Sequence, residues 1–145
     1  MILGDEEATR RAGAMLASRL RAGDIVTLTG PLGIGKTSLV RGLLEALGHD
    51  GEVPSPSFAI VQPYDDLRPP IWHADLYRLN DPAELAELGL DSVLDDGALI
   101  VEWPERAGEC AFPAALALSL EVDQYGARRL TAKVPAAWEG RCPFP

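Results

Sequence analysis

The sequence predicts a three-layer α/β fold around one central, mostly parallel sheet with antiparallel edge strands. Three observations predict it. The run IVTLTG (residues 25–30) reads as a buried strand that ends in a glycine turn, and a helical pattern follows at once. The continuous apolar run ALIVEW (98–103) has the character of a strand in the middle of a covered sheet. ALALSLEV and RRLTAKV alternate on either side of DQYGA, as the arms of a closing hairpin do.

The remaining elements fall in order between these. Ala8, Ala12, Met15, Leu16 and Leu20 recur at helical spacing, which predicts an amphipathic helix over residues 6–21 with Asp5 as its N-cap. Residues 36–47 form the next helix, with Leu39, Val40, Leu43, Leu44 and Leu47 on one side and Gly48 closing it. FAIVQPY (58–64) and IWHADLY (71–77) are strand-like and are joined by a polar loop as an antiparallel pair. DPAELAEL (81–88) is a short helix with Asp81 as N-cap, Pro82 in its first turn and Gly89 after its end. Residues 1–135 therefore make a single domain, and the proline-rich tail 136–145 is irregular.

Composition narrows the function. Hydrophobic residues make up 47% of the 145, which suits a globular domain rather than a disordered chain. The balance of 13 basic against 22 acidic side chains, a net charge of −9, argues against a protein that grips nucleic acid by itself. The arginines of the first two helices, Arg10, Arg11, Arg19, Arg21 and Arg41, read as solvated helix faces. No stretch reaches the ~20 apolar residues of a membrane span, and the acidic N-terminus lacks the order of a signal peptide. Cys110 and Cys142 have no ligand spacing and read as isolated thiols of a reducing, cytoplasmic setting.

Gly30-Pro-Leu-Gly-Ile-Gly-Lys36-Thr37 matches GxxxxGK[ST] without a mismatch, with a strand before it and a helix after it. Glycines let the backbone bend so that successive N–H groups point at anionic oxygens, and the helix start adds its positive dipole end. Lys36 is expected between the β- and γ-phosphates of a nucleoside triphosphate, and Thr37 is expected on Mg2+. Ser38 is placed for a more inner phosphate. The loop positions Leu32, Gly33, Ile34 and Gly35 complete the nucleotide cradle.

Hydrolysis also needs the metal held from a second side and a water aimed in line. Glu102 ends an apolar strand, and Asp75 stands inside WHADLYR; each is costly to bury unless it meets a metal or a charge partner. A salt bridge or an exposed strand end is the alternative for both. Taken by itself, Trp103 reads as core packing, His73 as a structural histidine, and Ser57 in SPSF as part of a turn.

Four segments together resemble one family. LTGPLGIGKTSLVRGLLEALG, VPSPSFAIVQPY, HADLYRL followed by ELGL, and LIVEWPE stand in the order and spacing of the TsaE (YjeE) family, the small bacterial ATPases of tRNA threonylcarbamoyladenosine synthesis. The resemblance covers residues 5–105, and DEEATRRAG is similar to the family's entry helix. It implies an ATP- and Mg2+-dependent ATPase that works with TsaB and TsaD, which modify adenosine 37 of tRNAs reading ANN codons. The resemblance implies too that the chain does not itself transfer the threonylcarbamoyl group and meets tRNA through its partners. By the resemblance, Gly33 to Ser38 cradle the phosphates, and Thr37 and Glu102 hold Mg2+. Asp75, Glu102 and Lys36 act in catalysis, with the water oriented by Asp75 or by Glu102, while Trp103, Ser57 and Thr9 approach the nucleotide.

The departures are modest. Pro31 and Ile34 stand at variable loop positions, Ser57 replaces the usual threonine, and Ala74 is smaller than the common apolar residue. Two other classes share the phosphate loop. A small-molecule kinase would add an arginine-bearing lid, which residues 48–100 do not suggest. A nucleotide-gated binding module would need the same phosphate contacts as a slow ATPase.

Overall fold

The computed structural model describes residues 1–51, 53, 61–108 and 111–144. Within them the chain runs β1 (Ile2–Leu3), α1 (Glu6–Ala17), β2 (Ile25–Thr29), α2 (Lys36–Ala46), β3 (Val61–Tyr64) and β4 (Ile71–Asp75). It continues through a 3-10 helix (Pro82–Leu88), α3 (Leu90–Val93), β5 (Ala98–Glu102), a second 3-10 helix (Pro104–Ala107), β6 (Leu116–Val122) and β7 (Arg128–Lys133).

Among the described residues these strands form one seven-stranded sheet in the order β1-β7-β6-β2-β5-β4-β3. The central strands β6, β2, β5 and β4 are parallel, while β3 at one edge and β7 and β1 at the other are antiparallel. The mostly parallel centre with antiparallel edges is thus as expected, and both predicted hairpins form among the described residues, residues 58–60 of the first lying outside them.

Successive strand residues face opposite sides, so each face of the sheet builds its own core. On one face Val26, Leu28, Ile100 and Leu118 pack against Leu16 of α1 and Leu39 and Leu43 of α2. On the other, Ala74, Leu99 and Val101 pack with Leu76 and Leu90 and are covered by Leu85, Leu88 and Phe112. That second layer is thin, because its cover is one turn of α-helix and 3-10 turns. The segment expected as an ordinary short helix is 3-10, with Asp81 as N-cap, Pro82 in its first turn and Gly89 after its end as expected.

Asp5 caps α1 as predicted, its Oδ1 accepting from the Ala8 N–H at 2.7 Å. The helix stops at Ala17, short of residue 21. There the Ser18 hydroxyl turns back to the Met15 carbonyl, and Asp24 takes the Arg21 N–H. α1 and α2 cross with their backbones nearly touching. A Cβ on Gly13 would lie 2.0 Å from the Leu39 carbonyl oxygen, and one on Gly42 would lie 2.0 Å from that of Arg10. These reciprocal glycines let the two helices cross at backbone distance near their middles.

The tail is not regular, yet it is fixed. Trp138, in a single 3-10 turn (Ala136–Trp138), and Phe144 are buried in the larger core. Cys142 is a free thiol; Cys110 lies outside the described residues.

Candidate functional site

β2 leads straight into the glycine turn, and α2 leaves it. Gly35 is the N-cap of α2 with φ +113°, a left-handed conformation that a side chain strains, and no side chain caps the helix. The first N–H groups of α2 are therefore left for another acceptor. Beside them β4 and β5 end in register, with Asp75 opposite Glu102 and Glu102 opposite Leu28 of β2. This is the carboxyl end of parallel strands, where ligands of open α/β sheets bind.

The result is a cleft of about 310 Å³ lined by Leu32, Gly33, Gly35, Lys36, Thr37, Ser38, Asp75, Glu102 and Trp103. A wider cleft of about 520 Å³ lies against Thr27, Ala117 and Phe112. Among the described residues, though, only the smaller one joins Lys36, two buried carboxylates and an uncapped helix start.

The charges in it are held under tension. Lys36, Asp75 and Glu102 are all buried. Burial pushes the Lys36 ammonium below its ordinary value, against the pull of Glu102, Asp75 and Glu105. Burial raises the Asp75 carboxyl, and the neighbouring charge of Glu102 raises it further, while the Tyr77 N–H, His73 and Lys36 hold it back. The Lys36 ammonium donates to the Gly30 carbonyl and lies 3.9 Å from the centre of the Trp103 ring.

Trp103 is, among the described residues, the one non-glycine with a positive φ (57°), a strained setting for a bulky side chain. That backbone turns the indole into the cleft, where it also meets the Tyr77 ring at 4.9 Å. Trp103 is thus a cleft wall as well as a packing residue.

The other expected residues fall at or near this cleft with different parts turned towards it. Leu32 is an exposed lip. The Ile34 side chain goes into the core, so only its backbone belongs to the loop. The Ser38 hydroxyl donates to Glu6 at 3.3 Å. Thr9 is fully buried with its hydroxyl on the Asp5 carbonyl, and its methyl stands 3.7 Å from where a Gly35 Cβ would be. Ser57 lies outside the described residues.

Two residues at the site were not picked out from sequence. His73 is fully buried and its Nε2 lies 2.6 Å from Glu102 Oε2. The available signal was its i, i+2 spacing from Asp75, which puts both on one face of β4. Arg128, at the start of β7, places Nη1 3.1 Å from a Cβ built on Gly35, so its guanidinium lies over the loop. No local pattern announces that contact.

The residues fit a magnesium-bound nucleotide by their chemistry. Hard oxygen donors, a hydroxyl and two carboxylates, suit Mg2+, and the uncapped N–H groups with Lys36 suit phosphate. Among the described residues no group of three or more His, Cys, Asp or Glu side chains is placed to hold a metal alone. That is the ordinary condition for Mg2+, which keeps waters and shares phosphate oxygens.

Fold and site together define an α/β protein with a phosphate-loop motif between a parallel strand and its helix. Comparison with known proteins makes this specific. The chain belongs to the TsaE family: the model described as "Threonylcarbamoyl adenosine biosynthesis protein TsaE" matches residues 3–130. The tRNA threonylcarbamoyladenosine biosynthesis protein TsaE of Rickettsia felis is 37% identical over 123 residues, covering 84% of this chain and 72% of that protein. Its namesake from Streptomyces coelicolor is 48% identical over 99 residues, covering 66% and 67%. The crystal structure of Bacillus subtilis YdiB superposes with a TM-score of 0.83 at 29% identity, covering 98% of this chain and 89% of that one. Among the described residues no helix is long and apolar enough to cross a membrane.

Proposed function

We propose that this chain is a cytoplasmic, Mg2+-dependent ATPase that supports threonylcarbamoyl modification of tRNA adenosine 37 with TsaB and TsaD, without transferring the threonylcarbamoyl group itself. The observation that carries the reading is the meeting of the glycine loop with Asp75 and Glu102 in one cleft. Carboxylates held side by side call for a cation, while Lys36 and the start of α2 call for an anion. A magnesium nucleotide supplies both.

Thr37 and Glu102 would hold Mg2+, which supplies charge stabilisation at the phosphate oxygens. Lys36 moves from the Gly30 carbonyl onto the phosphates, and Arg128 adds a second cation on the Thr9 side of the loop. Asp75, whose carboxyl burial pushes above its ordinary value, orients the attacking water and takes its proton. Trp103 walls the cleft and shields the lysine from solvent. An acidic protein of this charge leaves tRNA contact to its partners.

Phosphate release from ATP and Mg2+ is the test, first with the purified chain and then with TsaB and TsaD of the same source. Slow release that rises with the partners supports the reading. Tight nucleotide binding without release in either setting would replace it with a nucleotide-gated binding module.

A further inference from the structure

We propose that His73 is a positioning residue for Glu102, holding one carboxylate oxygen so that the other is presented to the divalent cation. The inference rests on the reading of Glu102 as a Mg2+ ligand. The geometry is specific. His73 lies on β4 two residues before Asp75, is fully buried, and has Nε2 at 2.6 Å from Glu102 Oε2 on the neighbouring strand. A carboxylate only accepts hydrogen bonds, so Nε2 donates.

The other ring nitrogen, Nδ1, is buried with no hydrogen-bond partner among the described residues. A buried N–H without a partner is rarer and costlier than an under-used acceptor, so Nδ1 carries the lone pair. The ring thus spends its single donor on Glu102. A glutamate at a strand end has three side-chain torsions to settle, and freezing them costs entropy that binding must otherwise supply. With Oε2 tied to His73, that cost is met during folding and Oε1 is left for the cleft.

A histidine that merely filled the core would be replaceable by an apolar residue without effect on the metal. The test compares His73→Leu, which removes the donor, with His73→Gln, whose amide N–H reaches the place of Nε2. The probe is a non-hydrolysable ATP analogue, titrated calorimetrically in EDTA and across a Mg2+ series, with thermal melts to confirm folding. Mn2+ binding followed by EPR serves as a second readout.

His73→Leu is expected to need about 10- to 100-fold more Mg2+ for half-maximal tightening, the usual loss when an outer partner of a metal ligand is removed. Its affinity in EDTA should match the unmodified protein, and His73→Gln should restore most of the Mg2+ response. If His73→Leu does not fold, His73→Asn takes its place, because its shorter amide falls short of Glu102. An unchanged Mg2+ response in the donor-less variant would overturn the inference alone. Indifference of the unmodified protein to Mg2+ would overturn the metal reading of Glu102, and this inference with it.

Discussion

The two ends of β2 present buried carboxylates in opposite circumstances. At its start Asp24 is saturated. Arg141 meets it with a bidentate pair at 2.8 and 3.0 Å, and the Arg21 N–H donates to it at 2.7 Å. Arg141 is itself spent on the carbonyls of Arg19 and Ala137 and stacks over Trp138 at 4.2 Å. At the other end, Glu102 meets His73 Nε2 at 2.6 Å and Asp75 accepts the Tyr77 N–H at 2.9 Å, and both face the buried Lys36 ammonium, which donates to a carbonyl and lies over an indole. A buried acid clasped by a guanidinium fastens the chain; on the proposed function, acids gathered beside a lysine in an open cleft serve a ligand. On the proposed function, the difference sets the structural acid apart from the two assigned to the metal and the water.

The largest expected effect lies at the saturated end. Arg141→Ala leaves Asp24 buried without its cation and frees the tail, and it should cost about 3–5 kcal/mol of stability by urea unfolding. Nucleotide affinity of the molecules that remain folded should not change. Lys36→Ala reverses this pattern, with little change in the melt and a loss of about 10²–10³-fold in ATP turnover. Glu102→Ala comes next: some nucleotide binding survives, while Mg2+-dependent phosphate release disappears. Normal release from that variant would show that the metal is held elsewhere.

The smallest effect on stability concerns Asp75. Its pKa is raised in the folded protein, so the folded state holds the proton more tightly than the unfolded one. The stability linked to it falls as pH rises from the ordinary carboxylate value through the raised one. Asp75→Asn removes that slope and relieves the repulsion with Glu102. It should raise stability at neutral pH by about 1 kcal/mol, measured as urea midpoints across pH, while abolishing turnover. A stabilised, inactive variant would mark Asp75 as an acid kept for function at a cost to the fold.

Much of this contrast was legible in the sequence, for identifiable reasons. The glycine loop is a local device whose residue types and spacing are dictated by backbone geometry, so Gly30 to Thr37 announced it. Glu102 was legible because an acid at the tip of an apolar run is conspicuous. The Asp24–Arg141 clasp was not, because it joins residues at opposite ends of the chain and neither sits in a pattern. Arg128 over Gly35 is hidden for the same reason, since only the pairing of β7 with the sheet brings it there. Gly13 and Gly42 look like blemishes in helices until the helices cross. Trp103 is a third case. Its residue type alone suggests packing; the resemblance puts it at the nucleotide, and the left-handed backbone is what turns it into the cleft.

The central claim is that the carboxyl end of this sheet holds a nucleotide with its metal. Calorimetric titration of the purified chain with ATP, first in EDTA and then in Mg2+, tests it most directly. The account predicts one-to-one binding that tightens when Mg2+ is added. A folded protein that gives no binding heat in either condition, and no protection of its melting temperature by ATP, would contradict it.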